Sequence, residues 1–418
     1  MEPMKVLLKS DCERIQKDSP TERIFEIAVK APGLTTRHAR APFNLGLVID
    51  RSGSMQGEKL QQVKSAVQRI LELLNEHDLI SLVMFDDEVR TLCSGLPATE
   101  SNKQELKVTL QGIRAGGSTD LCSGYLEGCR CVANQPMEGR INRVLLLTDG
   151  QANSGVTDPG QISLYSSNLF ERGIVTSTFG VGLGFNELLL QMMADRGGGN
   201  TYFIEQDREI QTFLLKEFSE LASLSARKVE VTLTFPAACT LEVFGDWKHR
   251  FHPGVLKIGL SDLAADTVTR ILIKVLTPPG EDQLDFTVQV EAFTTEGDLL
   301  EAAAKLALRY GTRQEVEQAP IDEELLGTFA SILFGHVARE AILFERDRRY
   351  DEAENTLKCA LDKYGKYAPQ SIRERYDELQ HVIRNGLNET VRKNMHQDSY
   401  MLRKSRHPEQ QSDPDQWK

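Results

Sequence analysis

The chain has 418 residues, of which 40% are hydrophobic and 26% are charged, and its formal net charge at pH 7 is −12. These proportions are ordinary for a soluble globular protein, the length is that of two or three domains, and the negative charge argues against a surface that binds nucleic-acid phosphates. No apolar run reaches the roughly 20 residues that a membrane-spanning helix needs. From the charge and from this absence, we expect neither nucleic acid nor membrane as a partner.

Two features of the chain predict a cytoplasmic location. Residues 1–11 contain lysines but no apolar stretch of signal-peptide length. The seven cysteines are odd in number and scattered, which indicates reduced thiols rather than a disulfide framework.

The cysteines do not predict a metal site. Cys129 and Cys131 are two residues apart on a predicted helix, so these two and Cys122 cannot converge on one metal ion.

Residues 1–43 precede any clear succession of strands and helices. Within them, residues 23–29 alternate as a strand does. Pro32, Gly33 and Pro42 then interrupt the chain. We therefore assign residues 1–43 to one or more strands whose partners lie elsewhere in the sequence.

Residues 44–226 alternate between short apolar strands and amphipathic helices. The predicted strands are 45–49, 79–85, 89–93, 144–148, 174–179 and 201–204. The predicted helices are 60–74, 121–132, 162–170, 187–194 and 210–224. This order predicts the α/β class, with an open, doubly wound, mostly parallel sheet and helices on both of its faces. Residues 89–93 are predicted to form an antiparallel edge strand, and residues 197–199 are predicted to form a turn.

The pattern changes after residue 226. Residues 227–312 contain short strands separated by turns rich in proline and glycine, which predicts a β-sandwich that takes in the strand at 23–29. The α/β domain is then an insertion between two strands of that sandwich. Residues 313–395 are predicted to be helical, and residues 396–418 to form a polar tail.

Oxygen-bearing side chains follow the first strand of the α/β series. Asp50, Ser52 and Ser54 come directly after residues 45–49 and before a predicted helix. In an open parallel sheet, ligands bind outside the carboxyl ends of the strands, near the point where strand order reverses. Carboxylates and hydroxyls are hard ligands, which suit Mg²⁺, Mn²⁺ or Ca²⁺ better than zinc.

Two further segments lead to the same edge of the sheet. Thr119 closes a Gly-Gly-Ser-Thr run before a helix, and Asp149 follows the strand at 144–148. The three hydroxyls and two carboxylates can fill five positions of an octahedron, some through water. The sixth position could then accept a carboxylate from a partner.

This combination resembles the metal-ion-dependent adhesion site of von Willebrand factor A domains. The resemblance rests on Asp50-x-Ser52-x-Ser54, on Thr119 in its glycine-rich run and on Thr148-Asp149-Gly150, and it covers roughly residues 44–224. It implies a doubly wound sheet and a divalent ion, Mg²⁺ first, that bridges to an Asp or Glu of a protein partner. It implies binding rather than catalysis. The flanking strands and helices resemble those of bacterial von Willebrand A proteins and inter-alpha-trypsin inhibitor heavy chains.

Other interpretations remain open from the sequence. Asp and Ser after a strand can serve only as a helix cap, and Asp-Gly only as a turn. The chain could also be an accessory subunit of an AAA+ ATPase or, with less support, a hydrolase whose metal activates water, although no suitably placed general base is evident. The acidic segment 409–415 could also occupy the open metal position, either of its own chain or of another copy.

Overall fold

A computed structural model describes residues 3–33, 40–245, 247–384, 387, 393, 395, 399 and 400. The chain divides into two compact units: Met1–Thr35, Ser225–Thr294 and Asp298–Lys418 form one, and Thr36–Leu224 with Thr295–Gly297 form the other. The predicted division at residues 43, 226, 312 and 395 is finer than this and stays a prediction. The acidic segment 409–415 lies outside the described residues.

The N-terminal segment contains three strands: β1 (Lys5–Ser10), β2 (Arg14–Gln16) and β3 (Thr21–Lys30). Only β3 was predicted, at residues 23–29. In β1, every second residue is buried, but lysines occupy two of the other positions, so its apolar signal is short. It becomes a strand by pairing antiparallel with β3, from the Lys5–Lys30 pair onward.

The inserted unit alternates strands and helices. Its strands are β4 (Phe43–Asp50), β5 (Leu79–Phe85), β6 (Val89–Pro97), β7 (Ile141–Thr148), β8 (Val175–Val181) and β9 (Gly198–Ile204). Its helices are α1 (Glu58–Leu73), α2 (Glu100–Gln111), α3 (Leu121–Ala133), α4 (Pro159–Glu171), α5 (Glu187–Arg196) and α6 (Ile210–Ala222). The sheet order is β6-β5-β4-β7-β8-β9, and every neighbouring pair is parallel except β5 and β6. The predicted α/β class and its antiparallel edge strand are confirmed.

Helix α2 was not predicted. It buries a narrow face that consists of Leu106, Leu110 and the stem of Lys103. Thr99 caps its first turn by accepting a hydrogen bond from the backbone N–H of Asn102. The ammonium of Lys103 donates to the carbonyl oxygen of Leu74 at 2.8 Å, so a charged residue faces inward and weakens the helical pattern.

The predicted turn at residues 197–199 and the predicted end of α6 were wrong. Residues 198 and 199 belong to β9 rather than to a turn. A Cβ atom at Gly199 would lie 2.1 Å from the carbonyl oxygen of Thr176, so glycine is required there by the close approach of β8. Helix α6 ends at Ala222, two residues earlier than predicted, because Leu224 already begins the next strand.

The sheet of the inserted unit is covered on both faces. Strand β4 is buried along its whole length, and its side chains alternate between the two apolar clusters. Leu47 and Ile49 contribute to one cluster and Val48 to the other. Since β5 lies on one side of β4 and β7 on the other, strand order reverses beside β4. The carboxyl ends of β4 and β7 therefore form the expected binding edge.

The other unit continues with strands and then helices. Its remaining strands are β10 (Leu224–Thr234), β11 (Thr240–Phe244), β12 (Lys248–His252), β13 (Val255–Gly259), β14 (Leu263–Ala264), β15 (Val268–Thr277), β16 (Leu284–Phe293) and β17 (Leu299–Gly311). Its helices are α7 (Arg313–Glu317), α8 (Glu323–Arg346), α9 (Tyr350–Tyr364) and α10 (Gln370–Ile383).

Two sheets of this unit enclose one apolar core. One sheet has the order β1-β3-β15-β11, and the other has β12-β13-β10-β16-β17-β2, with β14 beside β10. Phe25 of the first sheet packs edge-on against Phe286 of the second, with ring centroids 4.8 Å apart. Strand β3 lies between β1 and β15, so the strand predicted at 23–29 pairs with strands of this unit.

Helix α8 is the one helix, among the residues described, that is long and apolar enough to span a membrane. Its most apolar window is 67% buried within the protein, as expected also for a core helix. Leu325, Phe329 and Ile332 of α8 pack in one cluster with Ile24 of β3 and Leu272 of β15.

Candidate metal centre

Asp50 is fixed at the end of β4 by two hydrogen bonds. Its side chain is fully buried. The backbone N–H of Ser52 donates to Oδ1 at 2.7 Å, and Oγ1 of Thr148 donates to Oδ2 at 2.6 Å. Thr148 is the last residue of β7, so the contact joins the ends of two adjacent strands at the reversal point.

The two serines extend this network towards Asp149. Ser52 is buried and its Oγ lies 3.2 Å from Oγ of Ser54. Ser54, which is exposed, donates to Oδ1 of Asp149 at 2.6 Å. A single 3₁₀ turn, Gly53–Met55, carries Ser54, and the fully buried side chain of Met55 anchors that turn. The structure thus connects four of the five predicted ligands by direct contacts.

Thr119 is brought to the site by a neighbouring loop. Its backbone N–H donates to Oδ1 of Asn153 at 3.0 Å, and the N–H of Asn153 donates back to the Thr119 carbonyl at 3.3 Å. A Cβ atom at Gly150 would lie 3.2 Å from Oγ1 of Thr119, which places this hydroxyl beside the residue that follows Asp149. Asn153 was not predicted, because its role depends on a hydrogen bond across 34 residues.

The glycine-rich loop before Thr119 is tied to the loop after β4. The N–H of Gly116 donates to the carbonyl of Arg51 at 2.8 Å, and the N–H of Gly53 donates to the carbonyl of Gly117 at 3.2 Å. Gly117 has φ +77°, and a Cβ atom there would lie 2.0 Å from Oδ1 of Asp87. Only glycine satisfies both constraints, which explains the residue type at that position.

Lys59 is a participant that sequence reasoning missed. It lies in the first turn of α1, and its Nζ is 2.5 Å from Oδ2 of Asp149. Asp149 therefore uses both carboxylate oxygens, one for Ser54 and one for Lys59. A positive charge in the first turn of a helix is unfavourable, because the helix N-terminus carries a partial positive charge. This unfavourable position was the one signal in the sequence that could have drawn attention to Lys59.

The electrostatics of the site favour a cation. Burial, to which the negative charge of Asp149 adds, raises the pKa of the Asp50 carboxyl, although the hydrogen bonds from Ser52 and Thr148 act in the opposite direction. Two buried carboxylates face one ammonium, so one negative charge has no counter-charge within this network. A bound divalent cation would supply it.

The donor set fits a hard divalent ion. Within the described part of the chain, no group of three or more His, Cys, Asp or Glu side chains could hold a metal. Metal binding at this edge would therefore depend on hydroxyls as well as on carboxylates, which is a set for Mg²⁺, Mn²⁺ or Ca²⁺. The Lys59 ammonium already shows that Asp149 accepts a cation. The five predicted ligands stay a prediction until an ion is measured.

Comparison with known proteins agrees with this architecture. The sequence model of the von Willebrand factor type A domain matches residues 44–218. These residues form the doubly wound sheet described above. The chain therefore contains a von Willebrand factor type A domain, a class of protein-interaction module.

Particular relatives share part of the chain. Inter-alpha-trypsin inhibitor heavy chain H3 from Homo sapiens is 27% identical over 334 residues, which are 78% of this chain and 35% of that protein. The uncharacterized protein YfbK from Escherichia coli (strain K12) is 32% identical over 201 residues, 48% of this chain and 35% of the relative. The chain thus spans about a third of the length of these curated relatives.

Two solved structures share the fold over nearly the whole chain. A von Willebrand factor type A protein from Catenulispora acidiphila has a TM-score of 0.73 at 14% identity. The match covers 96% of this chain and 97% of that protein's chain. The ArnB paralog VWA2 from Sulfolobus acidocaldarius has a TM-score of 0.62 at 18% identity, with coverages of 96% and 98%. At these identities the likeness concerns the fold alone.

Proposed function

We propose that the chain is a protein-binding module whose von Willebrand factor type A domain holds a divalent ion and presents it to an Asp or Glu of a protein partner. Mg²⁺ is the ion we favour, with Mn²⁺ and Ca²⁺ as alternatives. The observation that carries the proposal is the network from Thr148 through Asp50, Ser52 and Ser54 to Asp149, which gathers hard oxygen atoms at the reversal point of the sheet.

The residues have distinct roles in this proposal. Asp50, Ser52, Ser54, Thr119 and Asp149 would hold the ion. When bound, the ion supplies a positive centre that accepts a partner carboxylate as an additional ligand. Ser54 is exposed, whereas the other four are buried, so a partner would approach from the side of Ser54. Thr148 and Asn153 position Asp50 and Thr119 without themselves being proposed ligands.

The proposed activity is binding, not catalysis, and we propose that it takes place in the cytoplasm. All seven cysteines are free, five of them buried, which supports a reducing compartment. An accessory role on an AAA+ ATPase is a more specific version of the same binding function. Recovery of a nucleotide-dependent oligomer with the protein would favour that version.

Calorimetry with MgCl₂ tests the metal site directly. Wild-type protein is expected to bind one ion, and Asp50→Asn to bind none. Glu76→Gln is the matched control, since Glu76 is an exposed carboxylate beyond the opposite end of α1, and it should bind as wild type does. Absence of heat with Mg²⁺, Mn²⁺ and Ca²⁺ for folded wild-type protein would refute the proposal.

A second experiment tests the adhesive role. Partners captured from a lysate in the presence of Mg²⁺ should be released by chelator and should be missing with Asp50→Asn. Glu76→Gln should capture the same proteins as the wild type. Capture that is equal with and without chelator would contradict a metal-mediated carboxylate contact, even if the ion itself binds.

A further inference from the structure

A lysine ammonium lies within the proposed metal-binding network. Nζ of Lys59 is 2.5 Å from Oδ2 of Asp149 and 3.4 Å from the carbonyl oxygen of Ser54. It thus touches two of the five residues that we propose as ligands. A Cβ atom at Gly182 would lie 3.6 Å from the same nitrogen, so glycine there leaves the space beside the ammonium open.

The two side chains of this ion pair differ in solvent exposure. The side chain of Asp149 is fully buried, whereas that of Lys59 is 25% exposed. A buried carboxylate without a counter-charge is costly, so the lysine stabilises Asp149 whenever no other cation is present. The lysine, on its flexible four-carbon stem, can leave for solvent at lower cost than the carboxylate can.

The position of Lys59 in the helix agrees with a role in this pair. Lys59 is the second residue of α1, where the partial positive charge of the helix N-terminus disfavours a cation. Its contact with Asp149 offsets that disadvantage. The contact joins residues 90 positions apart, so it does not arise from local helix geometry.

We propose that Lys59 is an internal cation that holds Asp149 in the metal-free protein and competes with the divalent ion for this carboxylate. This inference rests on the proposed function. Binding of the ion must weaken or break the pair, because both cations are attracted to the same buried charge. Lys59 therefore lowers the metal affinity of the site and keeps the site ordered when the ion is absent.

Lys59→Met tests the competition, because methionine keeps an apolar stem of similar length and removes the charge. In calorimetry with MgCl₂, the variant should bind about 10-fold more tightly than the wild type, a difference of about 1.4 kcal/mol. Lys59→Arg keeps the charge and should stay close to the wild-type affinity. Arg69→Gln removes a charge from the same helix about 15 Å away and should also leave the affinity unchanged.

A metal-free measurement separates this inference from the proposed function. In the presence of chelator, the Tm of Lys59→Met should be lower than that of the wild type. In saturating Mg²⁺, the two proteins should have the same Tm. A double-mutant cycle with Asp149→Asn in chelator should show that the two losses are not additive. If Lys59→Met binds Mg²⁺ as the wild type does or more weakly, competition is refuted. If no variant binds an ion, the proposed function fails, and additive losses in the cycle would then refute the ion pair as well.

Discussion

Oγ1 of Thr148 donates a 2.6 Å hydrogen bond to Oδ2 of Asp50, and this contact joins the last residues of two adjacent parallel strands. Both side chains are fully buried. The bond holds one oxygen of Asp50 while the backbone N–H of Ser52 holds the other. The orientation of a proposed metal ligand is thus determined by the register of β4 against β7.

Thr148→Val is expected to disturb both stability and metal binding. Valine has nearly the same shape but leaves Oδ2 of Asp50 without its donor, which should lower the free energy of unfolding by about 1–2 kcal/mol. Urea denaturation in chelator measures this loss, and calorimetry with MgCl₂ should show weaker binding. Thr109→Val is the control, because the Thr109 hydroxyl is exposed on α2 and its loss should change stability by less than about 0.5 kcal/mol. Equal behaviour of the two variants would contradict the role of Thr148.

Asp50→Asn is expected to separate stability from binding. Burial and the nearby charge of Asp149 raise the pKa of Asp50, so its ionised form destabilises the metal-free fold at neutral pH. The amide can keep the contact with Thr148, whose hydroxyl can rotate to accept a hydrogen bond. Unfolding in chelator should therefore require about 1 kcal/mol more than in the wild type, although the variant loses Mg²⁺ binding. A variant that is less stable in chelator would contradict this electrostatic account.

Asn153→Ala is expected to weaken metal binding more than stability. The alanine removes the acceptor for the Thr119 N–H, so the Thr119 hydroxyl is no longer fixed beside Gly150. We expect about a 10-fold loss of Mg²⁺ affinity by calorimetry, as for other residues that orient metal ligands. Ser118→Ala removes an exposed hydroxyl next to Thr119 and should bind as the wild type does. Wild-type affinity in Asn153→Ala would show that the loop is held by other contacts.

Gly199→Ala should destabilise the protein by about 3 kcal/mol, because the added Cβ would lie 2.1 Å from the carbonyl oxygen of Thr176 and would force β8 and β9 apart. Gly116→Ala is the control: a Cβ there meets no atom within 4 Å, and its backbone is not in the left-handed region. Thermal and urea unfolding measure both variants. A small effect at position 199 would mean that the strands can separate at little cost.

The contact of Glu22 in β3 with α9 should make stability depend on pH. Burial acts to raise the pKa of Glu22, but hydrogen bonds from Lys363 and Tyr364 outweigh it and lower the pKa below 4.5. A carboxyl with a lowered folded-state pKa contributes stability above its unfolded pKa and loses it as pH falls through the folded value. Glu22→Gln should therefore cost about 0.5–1 kcal/mol at pH 7, since Lys363 is largely exposed, and little near pH 3. Urea unfolding at both pH values measures it, and a pH-independent difference would contradict the assignment.

The class of the fold could be predicted because its signals are local. Strand β4 is buried on both faces, so its sequence is a continuous apolar run, and α1 shows clear helical spacing. Strand β1 and helix α2 were missed, because lysines occupy several of their positions. At Gly199, the prediction of a turn was wrong because the reason for glycine lies in Thr176, a residue of another strand.

The sequence by itself determined the order of strands and helices and the spacing of the oxygen-bearing residues at Asp50, Ser52 and Ser54, since both depend on neighbours along the chain. The tertiary structure alone decided that Lys59 contacts Asp149 and that Asn153 holds Thr119, across 90 and 34 residues respectively. Such contacts arise when distant loops meet at one edge of a sheet. Their energies depend on distance and burial in space, which spacing along the chain does not encode.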